Sequence, residues 1–450
     1  MKFYNRDAEL QELSTLYRQS ENESRMTVIT GRRRVGKTML ALESVRERRF
    51  VYLFVSRKAE HLLCMEYTEE IRRRFTLPVM GDIRFFRDLF ALLLDLSRRE
   101  HVTLIIDEFQ EFLNINPAVF SEIQQLWDLN KSSCRMNFIC IGSVYSLMHR
   151  IFEEAKEPLF GRADRIISLK AFGISGIWRI LKDHGCLDPQ GLFAVYLLTG
   201  GMPKYLELLT ANAALTRERM LDFVLTANSP FLNEGKNLLI EEFGKDYATY
   251  FSILELIAAG KTSRSEIESV LQIQAGAYLA KLETDYAVLE RLRPIDAKPN
   301  ARLQKYRIAD NFLNFWFRFI FRNRSAVETE NFGYIREIIE RDYDTYSGPL
   351  LEKFYRELFA EKKTYNRIGS SWEKRNRNEI DLIAVNDLER KLVIAEVKLN
   401  RARIDLAVLK AKVDKLLSSY PGKKEFMDHQ QDIIDLIKSA KQIFSSMPMT

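Results

Sequence analysis

Residues 26–41 read MTVITGRRRVGKTMLA: an apolar run, a glycine turn, then the periodicity of an amphipathic helix. From Gly31 to Thr38 the spacing is G-x-x-x-x-G-K-T, in the strand–loop–helix context that a phosphate-binding loop requires. Glycines at both ends let backbone N–H groups turn inward around a phosphate chain, and the helix that follows adds positive potential. Nucleotide contact is therefore expected from Gly31, Arg32, Arg33, Arg34, Val35, Gly36, Lys37, Thr38 and Met39. Lys37 would act catalytically on the β- and γ-phosphates, and the Thr38 hydroxyl would ligate Mg²⁺. A second stretch, HVTLIIDEFQEF at 101–112, is an apolar strand ending in two acids. Asp107 is the expected holder of the Mg²⁺ shell and Glu108 the group that polarises the attacking water. A third, MNFICIGS at 136–143, ends in Ser143, placed to sense a γ-phosphate or to cap the next helix. Arg162, in PLFGRADRI, is either an arginine finger or a surface residue after a turn glycine. The N-K-x-D base-recognition pattern is absent, which favours ATP over GTP.

A different chemistry is written near the other end. Residues 379–398, EIDLIAVNDLERKLVIAEVK, are two apolar runs that nevertheless carry Asp381, Glu396 and Lys398. If both runs are strands, alternation puts Glu396 and Lys398 on one face. A four-residue loop, Asp387–Arg390, would set Asp381 opposite Glu396. Two converging carboxylates repel unless a cation lies between them, and Mg²⁺ suits two acids plus retained waters. Lys398 would then position an attacking water. The preceding segment GPLLEKFYRELFAEK, 348–362, offers Glu352 or Glu357 as a third acid; Glu352, among Leu350, Leu351 and Phe354, is preferred.

These groups must be held by several elements, and 450 residues exceed one ordinary core, so roughly two to four domains are expected. The net charge of +6, from 68 basic and 62 acidic residues, excludes a polycation; any nucleic-acid surface is a local patch. Four scattered cysteines, Cys64, Cys134, Cys140 and Cys186, have no metal-finger spacing and fit a reducing cytoplasm. The polar start MKFYNRDAELQELSTLY does not read as a signal peptide, and no run approaches the roughly 18 apolar residues of a membrane span. From 170 to 245 the pattern is helical, with breaks at Gly173, Gly185 and Gly200-Gly201. Residues 250–310 then read as helix, helix, helix and two strands, a winged helix. Its third helix, from Gln274 to Tyr286, pairs Lys281 with Glu283 and Asp285 and is poorly basic for reading DNA, which favours a structural role. Lys298, Arg302, Lys305 and Arg307 on the wing could touch phosphates. The aromatic run NFLNFWFRFIF, 311–321, is expected in a core rather than stacking on bases.

Taken in order, FYNRDAELQEL, GRRRVGKT, LIIDEFQEF, FICIGSVYSLM, PLFGRADRI and TGGMPKYLELL resemble the archaeal-type P-loop ATPases of the AAA+/STAND superfamily. The resemblance spans roughly residues 1–240. It implies that Asn5 and Arg6 lie beside the adenine, that Ser143 is a sensor, and that Gly200, Gly201 and Pro203 sit where a helical lid meets the nucleotide. The set Glu352, Asp381 and Glu396-Val397-Lys398 resembles the PD-(D/E)XK nuclease fold, which would make the three acids metal ligands and Asp381, Glu396 and Lys398 catalytic. Ile380 stands where that pattern has proline. Nearby basic residues would neutralise a DNA backbone: Arg367, Lys374, Arg375 and Arg377 before the hairpin, Arg401, Arg403, Lys410 and Lys412 after it. Interleaved Glu373, Glu379, Asp405 and Asp414 point instead to a solvated face.

The expected architecture is α/β: an ATPase core at 1–168, a helical lid at 169–244 and a winged helix at 245–310. A helical connector at 311–345, a nuclease-like domain at 346–420 and a C-terminal helix and tail at 421–450 complete it. The expected function is an ATP- and Mg²⁺-dependent cytoplasmic ATPase coupled to a nuclease-like domain on double-stranded DNA, with homo-oligomerisation open and no membrane partner. Two alternatives stand beside it: a STAND-like switch acting through protein contacts with an inert hairpin domain, and an ATP-regulated winged-helix regulator.

Overall fold

The computed structural model describes residues 3–75, 81–243, 247–295, 297–298, 301, 303–373 and 377–418. The chain divides into two compact units, Lys2–Ala171 and the part from Phe172 onward. The division lies three residues beyond the expected end of the ATPase core at 168.

The first unit is built on five strands, β1 (Arg25–Thr30), β2 (Val51–Phe54), β3 (Val102–Asp107), β4 (Met136–Ile141) and β5 (Arg165–Ser168). They form one parallel sheet in the order β2-β3-β4-β1-β5. Every residue of β3 and β4 is buried, which is why both read as mostly apolar runs: helices cover a parallel sheet on both faces. One covering helix, Phe86–Arg99, holds the apolar run LFALLL. It buries Phe86, Leu89, Phe90, Leu93 and Leu94 against Phe109, Phe112, Phe138 and Trp127 while Asp95 stays outside. Among the described residues no helix is long and apolar enough to cross a membrane. The parallel order has a functional consequence. With β4 between β1 and β3, the loop after β1, the acids after β3 and the turn after β4 leave the same edge of the sheet, where such sheets bind ligands.

The second unit opens with helices Ile174–Asp183, Pro189–Thr199, Pro203–Ala211, Arg217–Val224 and Pro230–Phe243. Asp188 caps the second of these through the N–H groups of Gln190 and Gly191, with Pro189 in its first turn. Gly201 is required at its place: φ is +80°, and a Cβ would lie 1.9 Å from the Phe172 carbonyl oxygen. Helices Tyr247–Ala258, Arg264–Leu271 and Gly276–Thr284 follow, then an antiparallel pair, β6 (Leu289–Leu292) and β7 (Lys305–Ile308). Ser263 and Glu266 form a capping box on the middle helix. Of the basic residues expected on this hairpin, Lys305 donates to Glu379 at 2.9 Å and Arg307 to Glu290 at 2.5 Å. Lys298 is exposed, and Arg302 lies outside the described residues. Phe312, Phe315, Trp316, Phe317 and Phe319 are buried, as core packing demands.

The expected boundary at 345/346 falls inside one continuous helix, Phe332–Glu361, in which Pro349 is an interior residue. The Gly348-Pro349 pair, which reads as a helix start, is carried within it, because Leu350, Phe354, Leu358 and Phe359 continue the buried stripe begun by Ile335, Ile339 and Tyr346. Then come β8 (Arg367–Ser371), β9 (Ile380–Asn386) and β10 (Lys391–Ala395), an antiparallel sheet in the order β10-β9-β8, and the helix Leu406–Ser418. Ile380, Ile383 and Val385 form its small core with Ile295, Leu392, Ile394 and Leu416. Lys374, Arg375 and the expected C-terminal helix and tail at 421–450 lie outside the described residues.

Candidate active site

The loop after β1 has the backbone its glycines permit: φ is +139° at Gly31 and +89° at Gly36, with Arg34 also left-handed at +72°. A Cβ on Gly31 would lie 2.4 Å from the Leu169 carbonyl oxygen, so only glycine closes this turn. Val35 is buried beneath the loop, Arg32 and Arg33 are half-buried, and Arg34 and Met39 are exposed. Lys37 is buried at the start of the helix Lys37–Ser44, and its ammonium donates to the carbonyls of Gly31 (2.8 Å) and Arg32 (3.0 Å). The charge is thus held at the centre of the loop, where phosphate oxygens would compete with those carbonyls.

Across the sheet edge, Thr38 Oγ1 donates to Asp107 Oδ2 at 2.6 Å. A hydroxyl and a carboxylate side by side are the hard oxygen donors Mg²⁺ selects, so the pair fits that ion. Asp107 is fixed further by Tyr52, whose hydroxyl donates to Oδ2 at 2.9 Å, and by the Glu108 N–H on Oδ1 at 2.9 Å. Burial, reinforced by the Asp107 carboxylate, pushes the Tyr52 phenol up, so it remains a neutral donor. Glu108 Oε2 accepts from Ser143 Oγ at 2.7 Å and from Gln110 Nε2 at 2.5 Å. Lys37, Thr38, Asp107, Glu108 and Ser143 are thereby linked at one edge of the sheet.

The remaining expected nucleotide contacts are placed differently. Arg6 is 6% exposed and spends its guanidinium on the loop itself, donating to the carbonyls of Val35 (3.2 Å) and Lys170 (2.7 Å) and to Glu9. It acts as a brace for the phosphate loop. Asn5 precedes it in a left-handed conformation, φ +48°. Arg162 pairs with Asp128 at 3.1 Å and with the Phe160 carbonyl at 2.8 Å, half-exposed on the first unit. Pro203 opens a helix of the second unit. Tyr52 and Gln110 were not legible as site residues: no spacing rule ties a tyrosine on the next strand, or a glutamine two places past the acids, to this chemistry.

The C-terminal hairpin has the four-residue loop, and its register, with Leu382 opposite Ala395, continues to bring Asp381 opposite Glu396. Lys398 Nζ lies 2.8 Å from Asp381 Oδ2 and 3.1 Å from Glu396 Oε1. Asp381 is 3% exposed and also accepts the Val397 N–H at 2.9 Å. Lys412, from the helix Leu406–Ser418, reaches Glu396 at 3.1 Å, and Arg356 meets Glu352 at 3.4 Å and the Asp381 carbonyl at 3.0 Å. Three acids thus meet three cations of the chain's own. Among the described residues no group of three or more His, Cys, Asp or Glu side chains is arranged to hold a metal ion. The expected ligand set of Glu352, Asp381 and Glu396 is instead paired with Arg356, Lys398 and Lys412. Burial opposes the charge of Lys398, but its hydrogen bond and attraction to Asp381, with Glu396 adding, outweigh that and hold its pKa above the usual lysine value.

Of the flanking basic residues, Arg367 pairs with Asp387 and Arg403 with Asp344, while Arg377 and Lys410 are exposed. Glu357, the other acid considered, accepts from Tyr196 at 2.8 Å. Glu352 is pushed up to about 7, first by burial and then by repulsion from Asp381. Held above its ordinary value of 4.5, it binds more protons folded than unfolded between those two values. Stability present at low pH is therefore lost as pH rises through about 7, on the order of 3 kcal/mol at most. Denaturant titrations from about pH 5 to about pH 8 should show wild type losing stability relative to Glu352→Gln. Parallel pH dependence of the two proteins would remove Glu352 as its source.

Comparison with known proteins agrees with the first unit's geometry. A family described as an ATPase domain predominantly from Archaea matches residues 3–209, and one of archaeal and bacterial proteins of unknown function matches residues 316–413. An uncharacterized protein of Methanocaldococcus jannaschii is 30% identical over 412 residues, covering 88% of this chain and 87% of its own. Among solved structures, a Walker-type ATPase of Pyrococcus abyssi superposes with a TM-score of 0.53 at 19% identity, over 70% of this chain and 96% of that one. The Aeropyrum pernix ORC2 protein, solved as ADPNP and ADP complexes, gives 0.51 at 16% identity, over 73% and 96%. At those identities the structural likeness speaks for the fold, and the Methanocaldococcus relative carries the kinship. The chain belongs to one family with the Methanocaldococcus protein, and its residues 3–209 match the archaeal-type ATPase domain.

Proposed function

We propose that this protein hydrolyses ATP at the edge formed by β1, β3 and β4 and uses the cycle to drive its second unit as a switch. The observation that carries the reading is the 2.6 Å contact between Thr38 and Asp107, which joins the phosphate loop to the acidic strand. Lys37 would leave the Gly31 and Arg32 carbonyls for the β- and γ-phosphate oxygens, and the loop's inward N–H groups would take the rest of the chain of phosphates. Thr38 and Asp107 would hold Mg²⁺, which supplies charge neutralisation to the phosphates when bound. Glu108 would orient and deprotonate water, and Ser143 would report on the γ-phosphate. Phosphate release from ATP by the purified chain tests this, with Lys37→Ala as the control for contaminating activity. Equal rates in the two proteins would sink it.

The charge-compensated centre at Asp381, Glu396 and Lys398 favours a switch acting through protein contacts, one in which the C-terminal sheet binds rather than cleaves. A nuclease-like reading on double-stranded DNA keeps one observation in its favour, the convergence of Asp381 and Glu396 across the hairpin. Plasmid incubated with wild type and Asp381→Ala, with Mg²⁺ or Mn²⁺ and ATP, decides between them. Nicking by wild type alone would restore the nuclease.

A further inference from the structure

We propose that Gln110 is a positioning residue that fixes the Glu108 carboxylate to take a proton from the water attacking the terminal phosphate, an inference that rests on the ATPase reading above. Gln110 Nε2 and Ser143 Oγ donate to the same oxygen, Glu108 Oε2, at 2.5 and 2.7 Å. Two donors on one oxygen set the carboxylate's torsion and leave Oε1 as the oxygen free to face water. Glu108 itself is left-handed, φ +54°, a conformation that a residue with a side chain keeps only where its surroundings hold it.

Gln110 supplies that hold from within the core. It sits on the tight turn Phe109–Glu111 that follows β3 and is 0% exposed. A carboxylate only accepts, so the amide nitrogen must face it, and this leaves the buried Gln110 Oε1 without a partner. A buried orphan acceptor is costly, and a glutamine used only for packing would be better replaced by an apolar side chain. Gly142 closes the wall beside it: a Cβ there would lie 2.2 Å from Met148 Sδ and 2.6 Å from Gln110 Oε1. Ser143 plays a different part. Its hydroxyl can rotate toward a γ-phosphate, and when it does, Gln110 is the donor that stays on Glu108. The contribution of Gln110 therefore belongs to turnover of bound ATP and not to ATP affinity.

The test measures steady-state phosphate release, equilibrium binding of a fluorescent ATP analogue and thermal melting on the full chain. Gln110→Met keeps volume without a donor, and Gln110→Asn keeps the amide but withdraws it by one methylene. Both should lose kcat by about tenfold or more, with the analogue's Kd within about twofold of wild type, as expected when a positioned base is loosened. On a Glu108→Gln background Gln110→Met should change kcat no further, a result that a packing role would not give. Either variant that folds is sufficient for the comparison. The inference is overturned by a wild-type kcat in the variants, by affinity and melting temperature falling in step with kcat, or by an undiminished effect on the Glu108→Gln background. Wild type without turnover would instead defeat the ATPase reading itself.

Discussion

Glu108→Gln protein should bind ATP as tightly as wild type and release phosphate about 10²- to 10⁴-fold more slowly, the usual span for losing a general base. The substitution is nearly isosteric, and the new amide oxygen can still accept from Ser143 and Gln110, which now hold the carboxylate at 2.7 and 2.5 Å. What disappears is the ability to take a proton from water. The proposed phosphate-chain contacts lie elsewhere, on the loop from Gly31 to Thr38, so affinity should be spared. Lys37→Ala should behave in the opposite way, losing affinity along with turnover, because Lys37 is the cation inside the loop. Titration with a fluorescent ATP analogue, alongside phosphate release, separates the two. Retained turnover in Glu108→Gln would move the base to another residue and remove the role assigned to Gln110 with it.

The contrast between the ends of the chain explains what could be read in advance. The phosphate loop was legible because its chemistry uses backbone geometry, and backbone geometry leaves a local spacing: Gly31 and Gly36 are needed where φ is positive. The acidic strand was legible because a central parallel strand is apolar on both faces, so Asp107 and Glu108 mark its end. Hairpin register was legible too, since a four-residue loop fixes which residues oppose. Side-chain partners from other elements were not. Tyr52 reaches Asp107 from the neighbouring strand, Gln110 turns back inside the core, and Arg6 braces Val35 from ahead of the first helix. Lys412 was legible only as one of several basic residues after the hairpin, and its contact with Glu396 depends on how the helix Leu406–Ser418 docks. Tertiary packing also overrode a local signal at Gly348-Pro349, where a buried stripe carries the helix through a proline.

Removing the Lys398 amine should destabilise the second unit by about 2–4 kcal/mol, read as a shift of the denaturant midpoint in Lys398→Met. The reason is asymmetry. Asp381 is 3% exposed, and without Lys398 it keeps only the Val397 N–H as a donor from the hairpin, a buried charge left uncompensated. The lower part of the range for breaking a buried pair applies because the Lys398 side chain is 33% exposed and water screens it. Asp381→Asn should cost less, since a neutral amide can still accept from Val397 and no longer needs a cation. Combining the two should recover much of the Lys398→Met loss, a coupling that two independent packing defects would not produce. Lys412→Met should cost less than Lys398→Met, because Glu396 retains Lys398 at 3.1 Å. A Lys398→Met midpoint equal to wild type would mean that the ammonium is dispensable to the fold. Its place between Asp381 and Glu396 would then be open to a metal ion, and the switch reading would lose its main physical support.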